Sequence, residues 1–457
     1  MIINILKKPL IPIFLLFVAN CTLGQTNFTK YNNGIAPVLE KSANLTDWDF
    51  NAVADAEVVF YQDTFRLWYT SAGAVPQYAY PRIGYAWSLD GANWTKYGFP
   101  VLEGSNGTWD SLAIETVSVI VDTLAPLAER FKLWYCGTDD ADQILYHNMG
   151  YAYSDNGINW TKYPSNPVLT AESTATGIDV LGFEGPSVVF DGSTYHIWYS
   201  CIPVYNNLQY WDGWVNIAYA SSPDGINWTK KTDEPAFKIS QNGWDSLFVQ
   251  TPDVILIGNT FHMFYTGTAS DSTFQTAGGG WNFSVGYASA SDIDIHNWTR
   301  YPAPVLEKGT RGNWDDASVG LVSIEYIDNK LHLWYTGQDS CINDTNCVWP
   351  NIPYWDTGYA VDSSVVLSTD GFLFRNSIDI IVFPNPFNEQ AVIKFDNPKK
   401  DNCDIKIYNQ QGQIVKSIRN ITENQVSISR GKMADGVYFV QIYNRRKIVG
   451  VSKIIIQ

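Results

Sequence analysis

Short runs of apolar and β-branched residues alternate with polar ones along most of the chain, broken by Gly, Pro, Asn and Asp. In one stretch Glu184–Phe190 (EGPSVVF) is apolar, Tyr195–Ser200 (YHIWYS) alternates and is rich in aromatics, Asn216–Ser221 (NIAYAS) alternates again, and Trp228 opens a further run. A period of two bounded by turn residues predicts strands, and no sustained helical period interrupts them. The same phrase returns in five copies, whose second strands read Leu67-Trp68-Tyr69-Thr70, Leu133-Trp134-Tyr135-Cys136, Ile197-Trp198-Tyr199-Ser200, Met263-Phe264-Tyr265-Thr266 and Leu333-Trp334-Tyr335-Thr336. The anchor aromatics Trp68, Trp134, Trp198, Phe264 and Trp334 are 66, 64, 66 and 70 residues apart. Short antiparallel strands repeated at so even a period predict an all-β chain whose main body is a five-bladed β-propeller. The segment Asn33–Asp49 carries Ala-Pro-Val-Leu and Asp-Trp-Asp, which in other copies end one blade and open the next. The N-terminal segment is therefore expected to supply the outer strand of the last blade, leaving no open sheet edge.

Residues present in nearly every copy are read as parts of the blade. These are the Ser-x-Asp-Gly-x-x-Trp turns at 88–94 and 222–228, their variant at 154–160, the Trp-Asp pairs at 48/49, 109/110, 244/245 and 314/315, and the Asn-Trp-Thr triplets. The last are not read as glycosylation sites.

The ends differ from the body. Lys7-Lys8, the apolar run Pro9–Ala19 and the small residues before Gln25 form a secretory signal over residues 1–24, too short for a membrane span. No other segment is apolar enough to cross a membrane. The propeller is expected over residues 25–370. From Asn376 to Gln457 there are 12 Lys+Arg against seven Asp+Glu, in a chain whose net charge is −16. Strand signals at 391–395, 404–408, 426–429, 437–443 and 447–456 predict a small β-sandwich there. Its motifs are Phe383-Pro384-Asn385-Pro386-Phe387, Ile405-Lys406-Ile407-Tyr408-Asn409 with Gly412, Asp435-Gly436-Val437-Tyr438-Phe439 and Lys453-Ile454-Ile455-Ile456. In that order they resemble the type A C-terminal sorting domain of the type IX secretion system. The resemblance implies a Bacteroidetes-type bacterium, the type IX machinery as a partner, and a chain that is secreted or attached to the outer-membrane surface.

Cysteine usage fits export. Cys341 and Cys347 are close enough to staple one loop with a disulfide. Cys136 and Cys201 end second strands of neighbouring blades, and Cys403 stands alone in the tail. The spacing does not suggest a zinc site, no cofactor is expected, and a structural metal ion at the axis stays open. The acidic propeller argues against a nucleic-acid partner.

Chemistry is expected on one face. The connections between second and third strands are long in every copy, at about 71–82, 137–149, 201–215, 267–284 and 337–357, on the side where the innermost strands begin. They are rich in aromatics, with Tyr78, Trp211, Trp214, Trp281 and Trp355 the candidates for stacking on sugar rings. The innermost strands align as Ala54-Asp55-Ala56-Glu57, Glu115-Thr116-Val117-Ser118, Glu184-Gly185-Pro186-Ser187 and Gln250-Thr251-Pro252-Asp253. Their ends agree from blade to blade and their starts do not, which points to a task. Asp55, Glu115, Glu184 and Asp253, with Gln250 beside the last, are expected to meet in one funnel, where crowded carboxylates cannot all ionise at their usual pKa. That is equipment for acid/base cleavage of a glycosidic bond.

Over about 33–364 the chain resembles the five-bladed glycosidase propellers of families 43, 32 and 130. In family 43 a blade-one Asp is the general base, a blade-two Asp orients and tunes, and a blade-three Glu is the general acid. Asp55 (in ADAEV) matches the base and Glu184 (in EGP) the acid. The sequence departs at Ala56, where Pro is usual, and at Thr116, where the tuning Asp is missing and Glu115 stands beside it. The resemblance implies a secreted glycoside hydrolase acting on plant or algal poly- or oligosaccharide. The missing Asp leaves a non-catalytic glycan-binding propeller as the alternative. A phosphorylase is weaker, because only Arg82 and Arg311 lie near strand starts to hold phosphate.

Overall fold

The computed structural model describes residues 28–457 apart from 124, 140–147, 172–177, 180–181, 203–214, 270–281, 292–294, 329, 340–354, 363–379, 396, 398–399, 410–413 and 445–446. The chain divides into two compact units, residues 1–371 and 372–457. The first is built of five four-stranded antiparallel sheets. Their innermost strands are Ala54–Tyr61, Ala113–Val121, Phe183–Phe190, Phe248–Ile257 and Ser318–Ile327. Each innermost strand lies against that of the next sheet, and the fifth returns to the first. This is the five-bladed propeller.

Each blade alternates as the sequence requires. Trp68, Trp134, Trp198, Phe264 and Trp334 on the second strands are fully buried between blades. The turns between third and fourth strands reach across to them. The indole N–H of Trp68 donates to Gly157 O (2.7 Å), that of Trp134 to Gly225 O (2.7 Å) and that of Trp334 to Gly91 O (2.8 Å). Glycine is required there twice over. Gly157 has φ 76°, and a Cβ would sit 2.8 Å from the Trp68 ring.

The repeated Trp-Asp, Trp-Tyr and Thr-Lys words, with Ile178 for Trp in blade three and Phe264 and Arg300 for Trp and Lys in blade four, form one clamp per blade. The Asp before each inner strand is buried and ion-paired to the cation of the outermost strand: Asp49–Lys96 (2.6 Å), Asp110–Lys162 (2.6 Å), Asp179–Lys230 (2.5 Å) and Asp245–Arg300. The adjoining Trp stacks on the second-strand Tyr, as in Trp48–Tyr69 and Trp109–Tyr135. In blade five the cation is Lys30, 2.5 Å from Asp315. It belongs to strand Thr29–Lys30, which pairs with the third strand Trp355–Asp362 and completes the sheet. The N-terminal segment thus closes the wheel as expected, but the strand precedes the 33–49 segment, of which Leu39 adds a single bridge to Thr357. The overlooked signal is Phe28-Thr29-Lys30-Tyr31, a copy of Trp94-Thr95-Lys96-Tyr97 with Phe for Trp.

The second unit packs a three-stranded sheet (Ile380–Phe383, Gln390–Phe395, Gln425–Ser429) with a four-stranded one (Ile414–Ile421, Cys403–Tyr408, Gly436–Asn444, Lys447–Ile456). Ile393, Ile405, Ile407, Val440, Ile442 and Ile454 are among its core. Cys136, Cys201 and Cys403 are buried free thiols, whereas Cys341 and Cys347 lie outside the described residues.

The closing clamp gives a test. Lys30→Met leaves the Asp315 carboxylate, whose side chain is 0% exposed, without its cation. The substitution should lower unfolding free energy by roughly 3 kcal/mol, and adding Asp315→Asn should restore part of the loss. Urea denaturation reads both, and a single variant that unfolds at the native midpoint would show that the clamp is not what closes the wheel.

Candidate active site

The funnel is made by a defect repeated in every inner strand. The register of pairing with the second strand shifts just after Ala54, Glu115, Glu184, Gln250 and Gly320. The next residues, Asp55, Thr116, Gly185, Thr251 and Leu321, all have φ between 43° and 57°, in the left-handed region. These bulges bend the strand starts toward the axis and leave each bulge N–H without its ladder partner. A second-strand hydroxyl of the preceding blade accepts it. Thr116 N–H donates to Thr70 Oγ1 (3.0 Å), Thr251 N–H to Ser200 Oγ (2.7 Å), Leu321 N–H to Thr266 Oγ1 (2.7 Å) and Asp55 N–H to Thr336 Oγ1 (3.0 Å). The seam between blades two and three differs. Cys136 holds the hydroxyl position, and Gly185 N–H donates instead to Thr116 Oγ1 (3.2 Å).

One turn deeper a second ring closes. Val58 N–H donates to Ser323 Oγ, Val119 N–H to Glu57 Oε1, Val188 N–H to Ser118 Oγ, Val254 N–H to Ser187 Oγ and Ile324 N–H to Asp253 Oδ2, at 2.6–3.0 Å. Every seam of the wheel carries one of these bonds.

The two rings sort the expected residues. Asp55 is the bulge residue of blade one. Glu115 and Glu184 occupy the same position in neighbouring blades, immediately before the bulge, with Gln250 as their blade-four equivalent. The alignment read from the sequence is therefore the register of the structure. All three carboxylates are half-buried. Their charges all act on one buried thiol, Cys136, and push its pKa up, though burial is the larger cause. Asp55, Glu115 and Glu184 therefore converge. Burial pushes Asp55 up to about 6, against a hydrogen bond from Thr70. Burial and then the Asp55 charge push Glu115 up to about 8.

Asp253 is placed otherwise. It lies in the deeper ring, three residues past Gln250, with its oxygens taken by Ser187 Oγ (2.9 Å) and Ile324 N–H (2.6 Å). Two further carboxylates, Glu57 at that level and Glu325 two residues deeper, were not singled out from the sequence. Glu57 accepts from Val119 N–H, and Glu325 accepts from Phe60 N–H (3.3 Å). Burial foremost, and then mutual repulsion, hold Glu57 above its usual pKa; burial likewise holds Asp253 up, with Glu325 adding to it. The signal for Glu57 was its standing where Ser118, Ser187 and Ser323 stand in other blades. For Glu325 it was a charge within an apolar run. Among the described residues no group of three or more His, Cys, Asp or Glu is arranged to hold a metal ion.

An open central cavity is lined by the bulges of all five blades, with Glu57 and Asp253 at its deeper level; of the three strand-start carboxylates only Asp55 lines it. Of the expected stacking rings, Tyr78 lies in the blade-one loop, where its ring is 5.4 Å from the Arg82 guanidinium and packs on the blade core. Trp355 begins the third strand of blade five, and its carbonyl accepts from Val53 N–H (2.8 Å). Trp211, Trp214 and Trp281 lie outside the described residues. The Arg82 guanidinium, one of the two candidates for phosphate binding, is engaged by Glu103 Oε2, Tyr80 O and Gln77 O at 2.6–2.8 Å.

Known proteins share this architecture. A glycosyl hydrolase from Bacteroides ovatus is 17% identical, with a TM-score of 0.53 over 74% of this chain and 94% of its own. A second glycoside hydrolase is 14% identical, with a TM-score of 0.56 over 76% and 95%. A third structure, 18% identical with a TM-score of 0.53 over 78% and 96%, comes from work on family 130 mannoside phosphorylases and on hydrolases that target β-1,2-mannosidic linkages in Candida mannan. The fold is thus that of the glycosidase propellers. In sequence, 226 residues, 46% of this chain, are 25% identical to an uncharacterized Mycobacterium tuberculosis protein over 70% of its length. Residues 381–457 match the secretion system C-terminal sorting domain family. That tail marks the chain for export by the type IX system, to the medium or the cell surface.

The raised Glu115 has a consequence for stability. Its folded pKa of about 8 exceeds the ordinary 4.5, so folding takes up a proton in that window. Its contribution is full below pH 4.5, falls as pH rises, and is gone above 8. Glu115→Gln, which carries no charge, should gain stability over the native chain progressively across that window, by roughly 1–3 kcal/mol at pH 9. Melting curves at pH 5 and 9 test it; equal gaps at the two values would contradict the half-buried, crowded carboxyl.

Proposed function

We propose that this chain is a secreted glycoside hydrolase that cleaves plant or algal poly- or oligosaccharide with carboxylates carried by blades one to three. The supporting observation is the convergence of Asp55, Glu115 and Glu184 on one thiol, at strand starts where the repeated blades otherwise differ. Cleavage needs a carboxylate that is ionised at working pH and a carboxylic acid that is not. Asp55, with a pKa of about 6, is ionised at neutral pH and acts as general base. Glu184, at the blade-three position, delivers a proton to the leaving oxygen. Glu115, with a pKa of about 8, keeps its proton at neutral pH. Placed next to Asp55, it stands in for the blade-two Asp that Thr116 replaces. A neutral neighbour leaves Asp55 free to ionise, whereas a charged one would oppose it.

The second reading, a glycan-binding propeller without catalysis, has Thr116 in its favour, because that hydroxyl is occupied in the seam with Gly185. The two part experimentally. On a cleavable glycan, Glu184→Gln and Asp55→Asn should each lower kcat by roughly 10²–10⁴-fold. Unchanged turnover in Glu184→Gln refutes its role as the acid. Glycan affinity without product from any oligosaccharide selects the binding module.

The pH dependence follows from the same groups. kcat/KM should rise through about pH 6 as Asp55 ionises and fall through about pH 8 as Glu115 loses its proton. In Glu115→Gln the fall near pH 8 should move to wherever Glu184, the acid, loses its proton, and the acid limb should stay. A profile whose alkaline limb is unmoved by the substitution assigns that limb to another group.

A further inference from the structure

Four of the five bulge residues at the cavity are Asp55, Thr116, Gly185 and Thr251, and the fifth is Leu321. Leucine is strained there on backbone grounds, as Thr116 and Thr251 are, but unlike them it brings no polar group to the cavity. At φ 50° a bulky side chain crowds its own main chain, and Gly, Asn or Asp would take the conformation more easily. The bond that the position must make, N–H to Thr266 Oγ1, any of them would make. Nor is Leu321 a core residue, because it is half-buried and lines the same cavity as Asp55. Strained positions persist where the side chain is needed.

Among the described residues that line the cavity, blade five contributes Leu321 and Val322. Where other blades carry Glu115, Glu184 and Gln250, blade five has Gly320, at which a Cβ would lie 2.6 Å from Thr266 Cγ2. The residue after Leu321 is Val322, which also lines the cavity. The cavity is therefore lopsided, with Asp55 and Glu57 of blade one and Asp253 of blade four as its carboxylates and an apolar wall from blade five. A sugar hydroxyl pressed on that wall loses its water without a replacement hydrogen bond, whereas a methyl group gains apolar contact.

We propose that Leu321 is a specificity-determining residue and that the sugar held at the carboxylates is a 6-deoxyhexose, whose methyl group lies on the Leu321–Val322 wall. The inference rests on the hydrolase reading above. The test is kcat/KM on matched 4-nitrophenyl glycosides, fucosides against galactosides and rhamnosides against mannosides, each pair of the same absolute and anomeric configuration. For one such pair the native chain should favour the 6-deoxy member by roughly tenfold or more, the usual worth of one apolar group in such a pocket. Leu321→Asn should bring that ratio close to one. Its melting temperature should not fall, because Asn suits the left-handed backbone. A ratio unmoved by the substitution, or a fall in melting temperature with the ratio kept, makes Leu321 a packing residue and overturns the inference. Native activity confined to glycosides other than 6-deoxyhexosides overturns it while leaving the hydrolase reading intact. Absence of hydrolysis on any glycoside removes that reading and this inference together.

Discussion

The wheel depends on one kind of hydrogen bond, a main-chain N–H of one inner strand donated to a side-chain oxygen of the blade before it. Blades of a propeller pack face to face through apolar side chains, and such packing is indifferent to small rotations. The five bonds from Val58, Val119, Val188, Val254 and Ile324 are not, because each fixes one inner strand at a single height against its neighbour. They also answer a need. An inner strand has a free edge at the axis, and buried N–H groups there must find acceptors. Side chains from the preceding blade supply them without filling the channel.

The same constraint explains how chemistry came to the axis. An acceptor is all the deeper ring requires, and Ser118, Ser187 and Ser323 meet the requirement with a hydroxyl. Glu57 and Asp253 meet it with a carboxylate, so charge entered the channel at positions already fixed by architecture. In the upper ring Cys136 gives up the hydroxyl that Thr70, Ser200, Thr266 and Thr336 provide, and Thr116 takes over the bond to Gly185. The seam that departs from the pattern is the one between Glu115 and Glu184. A thiol donates hydrogen bonds weakly, so it leaves the nearby carboxylates less solvated than a hydroxyl would.

Much of this was legible from spacing. The five copies, the four-strand unit and the equivalence of the inner strands needed only the period and the alternation. The alignment of Asp55, Glu115 and Glu184 was right because the β-branched halves of the strands are core on both faces and tolerate no slip. Other features left weak marks. Thr29–Lys30 is a two-residue strand, too short for any periodicity. Ile414–Ile421, an edge strand of the tail, is mostly exposed, and its Lys, Arg and Asn obscure the alternation. Asp253 seemed to be a strand-start residue because its distance along the chain from Gln250 is small; the bulge between them puts it a level deeper.

The sequence by itself determined the repeat, the blade, the sorting tail and the list of residues that differ between copies. Those properties are local: each is decided within about ten residues by alternation, turn chemistry or a motif. Only the tertiary structure decided which of the differing residues meet. Asp55, Glu115 and Glu184 are separated by more than a hundred positions end to end and share a site because three bulges turn toward one axis. Leu321, read alone, was part of an apolar strand. Its standing at the cavity follows from a positive φ and a closed ring, and neither is written in the spacing of residues.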